Sequence, residues 1–226
     1  MEESIVYFDN PGKENTEEVI NLVLERAKSR NIQKMVLAST TGYTARLFLA
    51  AVEDKDIQLV VIPWQFSLRE EGNRFPQELV KQFQEKKHIV HFSTMLISSG
   101  LTKLYSTNAP TTLANILRVL GQGMKVCVEI TMMACDGGCI KMGEKVIVVA
   151  GSHVGADFAV MATAAPSSKV TELKINEIIC KPVLEFSKYS IIRLPISIFG
   201  MMLWDFLYLN IKSLAGEVII RNLFLN

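Results

Sequence analysis

Small and hydroxyl residues crowd one stretch, Ser39-Thr40-Thr41-Gly42-Tyr43-Thr44, directly after the apolar run Met35-Val-Leu-Ala38. A strand that empties into such a turn and then into a helix presents backbone N–H groups at the positive end of a helix dipole. With hydroxyls added at the same place, the chemistry on offer is the holding of a phosphate. No lysine follows Gly42, so this is not the nucleoside-triphosphate loop, whose glycines precede Lys and Ser/Thr. A Thr-rich helix cap is the competing reading. A second glycine-bearing turn, Gly151-Ser152-His153-Val154-Gly155-Ala156-Asp157, follows the apolar run Lys145–Ala150. A glycine after a buried strand lets another molecule approach the backbone closely, and it serves equally in an ordinary tight turn.

The rest of the chain narrows the chemistry. Lys and Arg total 24 against 23 Asp and Glu, so no strong field favours nucleic acid. Cys127, Cys135 and Cys139 fall eight and four apart, on one face of an expected helix, and Cys180 stands alone. They read as buried thiols. With no Cys-x-x-Cys and with His88, His91 and His153 elsewhere, no metal site is expected. No nucleophile–base pair and no Gly-x-Gly-x-x-Gly nicotinamide fingerprint stands out. The opening Met-Glu-Glu-Ser lacks the basic and apolar parts of a secretory signal, so a reducing cytoplasm is expected.

These residues need a scaffold, and the 226-residue chain is long enough for one α/β domain with a full core. Ser4–Phe8, Lys34–Ala38, Ile57–Ile62, His88–Phe92 and Lys145–Ala150 read as strands, several of them continuously apolar as in a doubly covered parallel sheet. Asn15 with Glu18 signals a helix start, and Val19, Leu22, Val23 and Ala27 trace its buried face. The helix after Gly42 is expected to bury Leu47, Ala50 and Ala51 and to run through Val52. Arg69 to Phe75 reads as an exposed loop, with Pro76 opening a helix to Lys87. Thr111–Leu120 and Lys125–Cys135 are expected helices, stopped at Gly121 and at Gly137-Gly138. Alternating strands and helices predict a Rossmann-like, three-layer α/β sandwich with a mostly parallel sheet and ligands at the carboxyl ends of its strands.

The C-terminal extension departs from this pattern. Ile191 to Ile211 has the length of a membrane span, yet it holds Arg193, Pro195, Asp205 and Asn210. A central aspartate costs about 2.5–3.5 kcal/mol, which offsets several leucines. A helix docked on the domain or on a partner is the preferred reading, with membrane attachment through this tail, or a poorly ordered extension that the core does not need, left open. The boundaries are therefore 1–185 for the α/β domain and 186–226 for the apolar extension.

Leu37-Ala-Ser-Thr-Thr-Gly-Tyr-Thr-Ala-Arg46 resembles the hydroxyl-rich loop of the pyruvate kinase C-terminal α/β domain, which holds an effector phosphate in allosteric members. Ile140 to Gly151 resembles the last parallel strand of that domain with its Lys-x-Gly-(Asp/Glu) entry. Ser152 to Asp157 stands where that enzyme has its glycine-bearing effector loop. Residues 5–185, about four-fifths of the chain, are similar to a stand-alone pyruvate-kinase-C-terminal-like family. That family shares the opening run from Tyr7 to Thr16 and the run Gly121-Gln-Gly-Met-Lys-Val-Cys-Val-Glu129. The catalytic barrel of the kinase takes about 250 residues, more than this chain holds, so kinase activity is not expected of it.

The resemblance implies a phosphorylated small-molecule ligand, with flavin mononucleotide (FMN) the leading candidate. Its one phosphate suits the Thr turn, its ribityl chain polar loop groups, and its flat ring aromatic and apolar contacts. The candidate contacts are Ser39, Thr40, Thr41, Gly42, Tyr43 and Thr44 for phosphate, and Trp64, with Phe66, for a ring at the strand end. Gly151, Ser152, His153, Gly155, Ala156 and Asp157 form the second loop, Asp157 accepting from ribityl hydroxyls or capping the next segment. Gly121 and Gly123 stand at a helix start, where a ligand could approach the backbone. Glu129 either contacts the ring or lies in solvent. With His153 the only basic residue of the second loop, a monophosphate suits this site better than a bisphosphate. A binding or sensing module is the first reading. A flavin-dependent oxidoreductase, a sugar-phosphate sensor and an interaction module are the alternatives, and a homo-oligomer is left open.

Overall fold

The computed structural model describes residues 3–66, 73–97 and 108–183. The chain divides into two units, Met1–Leu184 and Glu185–Asn226, and the described residues all lie in the first. The expectations for the C-terminal extension fall outside them.

Seven strands form one sheet in the order β1-β7-β6-β5-β2-β3-β4. They are β1 (Val6–Phe8), β2 (Lys34–Ala38), β3 (Gln58–Ile62), β4 (Ile89–Val90), β5 (Lys145–Ala150), β6 (Phe158–Thr163) and β7 (Lys174–Pro182). The pairs β1/β7, β5/β2, β2/β3 and β3/β4 are parallel, while β6 runs against both β5 and β7. The sheet is thus mostly parallel, as expected. Its antiparallel strand β6 and the strand β7 are additions that the sequence reading does not contain.

The continuous apolar strands are explained by helices on both faces. Met35, Leu37, Leu59, Val61, Ile147 and Val149 point into one core. There they meet Val19, Val23 and Ala27 of α1 (Thr16–Arg30), Ala45, Phe48 and Leu49 of α2 (Tyr43–Ala51), and Leu79 and Phe83 of α3 (Gln77–Glu85). The alternate residues Val36, Val60, Ile62, Val146 and Val148 point into the other core. That core is closed by Ala114 of α4 (Asn108–Arg118) and by Met124, Cys127, Val128 and Ile130 of α5 (Gln122–Asp136). Side chains alternate across a strand, so a strand covered on both sides needs apolar residues at every position. This gives the three layers.

Several local expectations need correction. Asn15 stands at the start of α1, but its backbone is already helical (φ −84°, ψ −7°) and its amide donates backward to the carbonyls of Asn10 and Gly12, so no capping box forms. In α2 the buried face is Thr44, Ala45, Phe48 and Leu49; Ala50 is exposed, because the core lies one residue off the expected stripe. Cys139 lies beyond the end of α5 at Asp136, and so shares no helix face with Cys127. Phe75, expected in an exposed loop, is buried and meets Phe92 edge-on at 6.3 Å. All four thiols are free; burial pushes that of Cys127 up and that of Cys180 to about 12, so both stay protonated. Among the described residues, no helix is long and apolar enough to cross a membrane.

His88 tightens the entry to β4. Its Nδ1 accepts the Leu59 N–H at 3.2 Å, while its ring packs against Phe83. Burial first, and the charge of Lys86 second, hold the imidazole below its usual 6.5. An imidazole with a lowered folded pKa binds its proton later than the unfolded chain does. Its contribution to stability is therefore whole above about pH 6.5 and is lost as pH falls through the folded value. The thermal midpoint should drop on acidification through that window, and less so in His88→Gln. An NMR titration of His88 with a midpoint at or above the usual value would contradict this.

Candidate ligand-binding site

Topology brings the two glycine-bearing turns together. β2 and β5 are parallel neighbours, so the turn leaving Ala38 and the loop leaving Ala150 emerge side by side at their carboxyl ends. From β2 the chain passes through α2 on one face, whereas α5, on the other face, leads into β5. The loop leaving β5 returns as antiparallel β6, so it stays beside the turn after β2, and ligands of open α/β sheets bind in the crevice outside such carboxyl ends.

The first turn is held by its own residues. Gly42 adopts φ +83°, and a Cβ there would lie 2.7 Å from a Leu79 methyl, so both conformation and packing require glycine. Ser39 is buried, and its Oγ accepts the Ala45 N–H at 3.3 Å; the Arg46 N–H is taken by the Gly42 carbonyl at 3.0 Å. The N–H groups of Tyr43 and Thr44 precede these bonds and belong to the first-turn donors that a helix cannot satisfy within itself. Together with the Thr41 hydroxyl at the exposed tip, they form the donor end of the site.

The second loop is organised by Asp157. Its buried carboxylate accepts the Gly12 N–H at 3.0 Å, the Ser152 N–H at 3.1 Å and the Ser152 hydroxyl at 3.3 Å. Burial pushes this carboxyl up, and the Ser152 and Gly12 hydrogen bonds pull against that. Ala156 donates its N–H to Thr16 Oγ1 at 3.0 Å. A Cβ on Gly151 would lie 2.4 Å from the Gly155 carbonyl oxygen, and one on Gly155 (φ +84°) 2.5 Å from Lys13 Cα. The close approaches served by these glycines are therefore internal to the protein.

Between the turns lies an outer cleft of about 340 Å³. Ser39, Thr40, Thr41, Tyr43, Thr44, Trp64, Gly151, Ser152, His153 and Gly155 line it, joined by Gln122 and Val126 of α5. An inner cleft of about 480 Å³ shares Ala38, Ser39, Thr40, Trp64, Gln122 and Val126 with it. The inner cleft continues between Pro63 and Met95 on one side and Ile130 and Met133 on the other. Glu129 is on this wall. It is buried rather than solvated, paired with Lys125.

Six candidates line neither cleft: Gly42, Phe66, Gly121, Gly123, Ala156 and Asp157. Asp157 and Ala156 are engaged as described. Gly121 (φ +121°) makes the joint between α4 and α5, and Gly123 packs so tightly on β6 that a Cβ would lie 2.2 Å from Phe158 Cβ. Gly42 shapes the first turn without lining the cleft, and Phe66 packs edge-on against Phe92 at 5.5 Å. Of the α5 wall the sequence reading names only Glu129; Gln122, Lys125, Val126, Ile130 and Met133, with Arg118 at the end of α4, are not among its candidates. The signal of that wall was present in Gln122, Lys125, Val126, Glu129, Ile130 and Met133, which recur on one helical face.

The fold and the paired turns define an α/β domain with its crevice at the carboxyl ends of a mostly parallel sheet. The family model "Pyruvate kinase, alpha/beta domain" matches residues 17–161, and the chain belongs to that family. Among similar solved structures is a pyruvate kinase from Cryptosporidium parvum, 13% identical, with a TM-score of 0.36 over 66% of this chain and 23% of that one. Another is the Cryptosporidium parvum pyruvate kinase in complex with ADP, 14% identical, with a TM-score of 0.32 over 65% of this chain and 22% of that one. The chain thus spans less than a quarter of the length of these enzymes.

Proposed function

We propose that this domain is a binding module for a phosphorylated small molecule, with FMN the leading ligand. The observation that carries the reading is the joining of two unlike chambers. The outer one offers hydroxyls and first-turn N–H groups to a phosphate, and the inner one adds the apolar walls of Pro63, Trp64, Met95, Val126, Ile130 and Met133 beside the polar Arg118, Gln122, Lys125 and Glu129. Clefts of this volume, mostly apolar with a few convergent polar groups, are typical small-molecule sites. A phosphate in the outer chamber and a flat ring in the inner one match that division. Ser39 to Thr44 would hold the phosphate, and Trp64 with the α5 wall would cover the ring. When bound, the flavin would supply redox chemistry, with this chain binding and orienting it.

The test is titration of the purified protein with FMN and with riboflavin, monitored by the visible spectrum and flavin fluorescence. A hydrogen bond to a charged group contributes about 1.5–3 kcal/mol, so FMN should bind at least about tenfold tighter than riboflavin. Equal binding of the two, or binding of neither, contradicts the reading. The same preparation should form no pyruvate from phosphoenolpyruvate and a nucleoside diphosphate, at any magnesium or potassium concentration.

A further inference from the structure

Of the lysine, arginine, aspartate and glutamate side chains, only Arg118, Lys125 and Glu129 line the two clefts, and all three line the inner one. Lys125 and Glu129 form a buried ion pair, so their formal charges cancel. Arg118 is different. It is the last residue of α4, exposed, and its guanidinium is held by two neutral groups. Its Nε donates to Gln122 Oε1 at 2.8 Å and its Nη1 to Asn115 Oδ1 at 3.0 Å. Among the described residues no carboxylate pairs with it, whereas Arg26, Arg30, Lys34 and Lys86 each reach one. The lining of the inner cleft therefore carries one positive charge that the described residues do not neutralise. Bonds to neighbours on either side of the α4–α5 joint fix the planar fork, and an arginine keeps its proton at any pH a protein meets. Pro63, Trp64, Met95, Ile130 and Met133 line the same cleft. Beside such apolar walls the effective dielectric constant falls, and a fixed cation favours negative charge nearby more than it would in bulk water.

We propose that Arg118 makes the inner cleft selective for a flat ring that carries negative charge, so that the site holds a flavin more tightly in its reduced, anionic form than in its oxidised form. This rests on the reading of the joined clefts as a site for FMN. The oxidised ring is neutral; two electrons and one proton convert it to a reduced ring with one negative charge. The phosphate is the same in both forms, so the turn after β2 does not tell them apart. Lys125 and Glu129 together offer no net charge with which to do so. Arg118 does, whichever ring atom lies nearest, because attraction between whole charges needs no particular alignment. A charged group beside a cofactor tunes its electronics in this way. Tighter binding of the reduced form raises the midpoint potential of bound FMN above that of free FMN, by about 30 mV for each tenfold in a two-electron couple.

The experiment measures the midpoint potential of bound against free FMN by anaerobic reduction with dithionite, beside fluorescence titrations with oxidised FMN and riboflavin. Mildly alkaline pH keeps the free reduced ring anionic. Wild-type protein should bind reduced FMN at least about tenfold tighter than oxidised FMN, which places the bound midpoint at least about 30 mV above the free one. Arg118→Gln removes the charge at an exposed position, where substitutions usually change stability little, so thermal unfolding should stay cooperative. Its bound midpoint should lie at least about 30 mV below that of wild type. A wild-type midpoint at or below that of free FMN, with FMN still bound tighter than riboflavin, leaves the phosphate site standing and overturns this proposal. Arg118 is then a favourable charge at a helix end and nothing more. A variant midpoint equal to that of wild type also overturns it. If FMN does not bind wild type, the FMN reading itself is wrong, and this proposal goes with it. The wild-type comparison with free FMN decides the matter even if the variant fails to fold.

Discussion

Thr41→Val should weaken FMN binding about ten- to a hundredfold and leave riboflavin binding unchanged, because one hydroxyl donor to a charged phosphate is lost. The thermal midpoint should barely move. Thr41 is exposed at the tip of the turn, and the turn is held by other groups: the Ser39 Oγ bond to the Ala45 N–H, and Gly42 packed under Leu79. Surface substitutions away from such features usually stay within about 0.5 kcal/mol. Thr44→Val should weaken binding similarly, but Thr44 is buried at the start of α2, so some stability should go with it. Titrating both variants with both ligands separates phosphate recognition from helix capping. A Thr41→Val protein that binds FMN like wild type would make the hydroxyl run a cap and nothing more.

That run was legible because its chemistry is local. β2 and β5 could be read with their boundaries, since a strand covered on both faces must be apolar at every position, as Met35 to Leu37 and Val146 to Val149 are. β6 could not. Its Ala159 and Ala162, with Ala164 and Ala165 just beyond, carry helix-favouring composition, and what makes the segment a strand is non-local pairing with β5 and β7. The site divided along the same line. The turns after β2 and β5 announced themselves by composition, whereas Lys125 and Glu129 resemble the (i, i+4) pairs of solvated helices, and only packing places them on a cavity wall. Gly123 and Asp157 carry the opposite lesson. Close backbone approach and buried acceptors serve the protein's own loops as readily as a ligand, and here the partners are Phe158, Ser152 and Gly12.

Asp157 makes that distinction measurable. Its carboxylate ties the turn before α1, through the Gly12 N–H, to the loop after β5, through the Ser152 N–H and hydroxyl. Asp157→Ala strips two backbone donors of their acceptor in a largely buried place, at about 1–3 kcal/mol for each group left unsatisfied. A total near 3 kcal/mol lowers the thermal midpoint of a domain this size by roughly 6–12 °C. Asp157→Asn keeps one acceptor oxygen and should fall between wild type and alanine. FMN affinity should drop in step with stability, because Ser152, His153 and Gly155 line the outer cleft from a loop that Asp157 holds. A carboxylate that instead contacted ligand hydroxyls directly would show the reverse pattern, losing affinity with the midpoint unchanged. Differential scanning calorimetry of the three proteins, run beside FMN titrations, separates the two. A midpoint within about 1 °C of wild type in Asp157→Ala would mean that the carboxylate does not organise this loop.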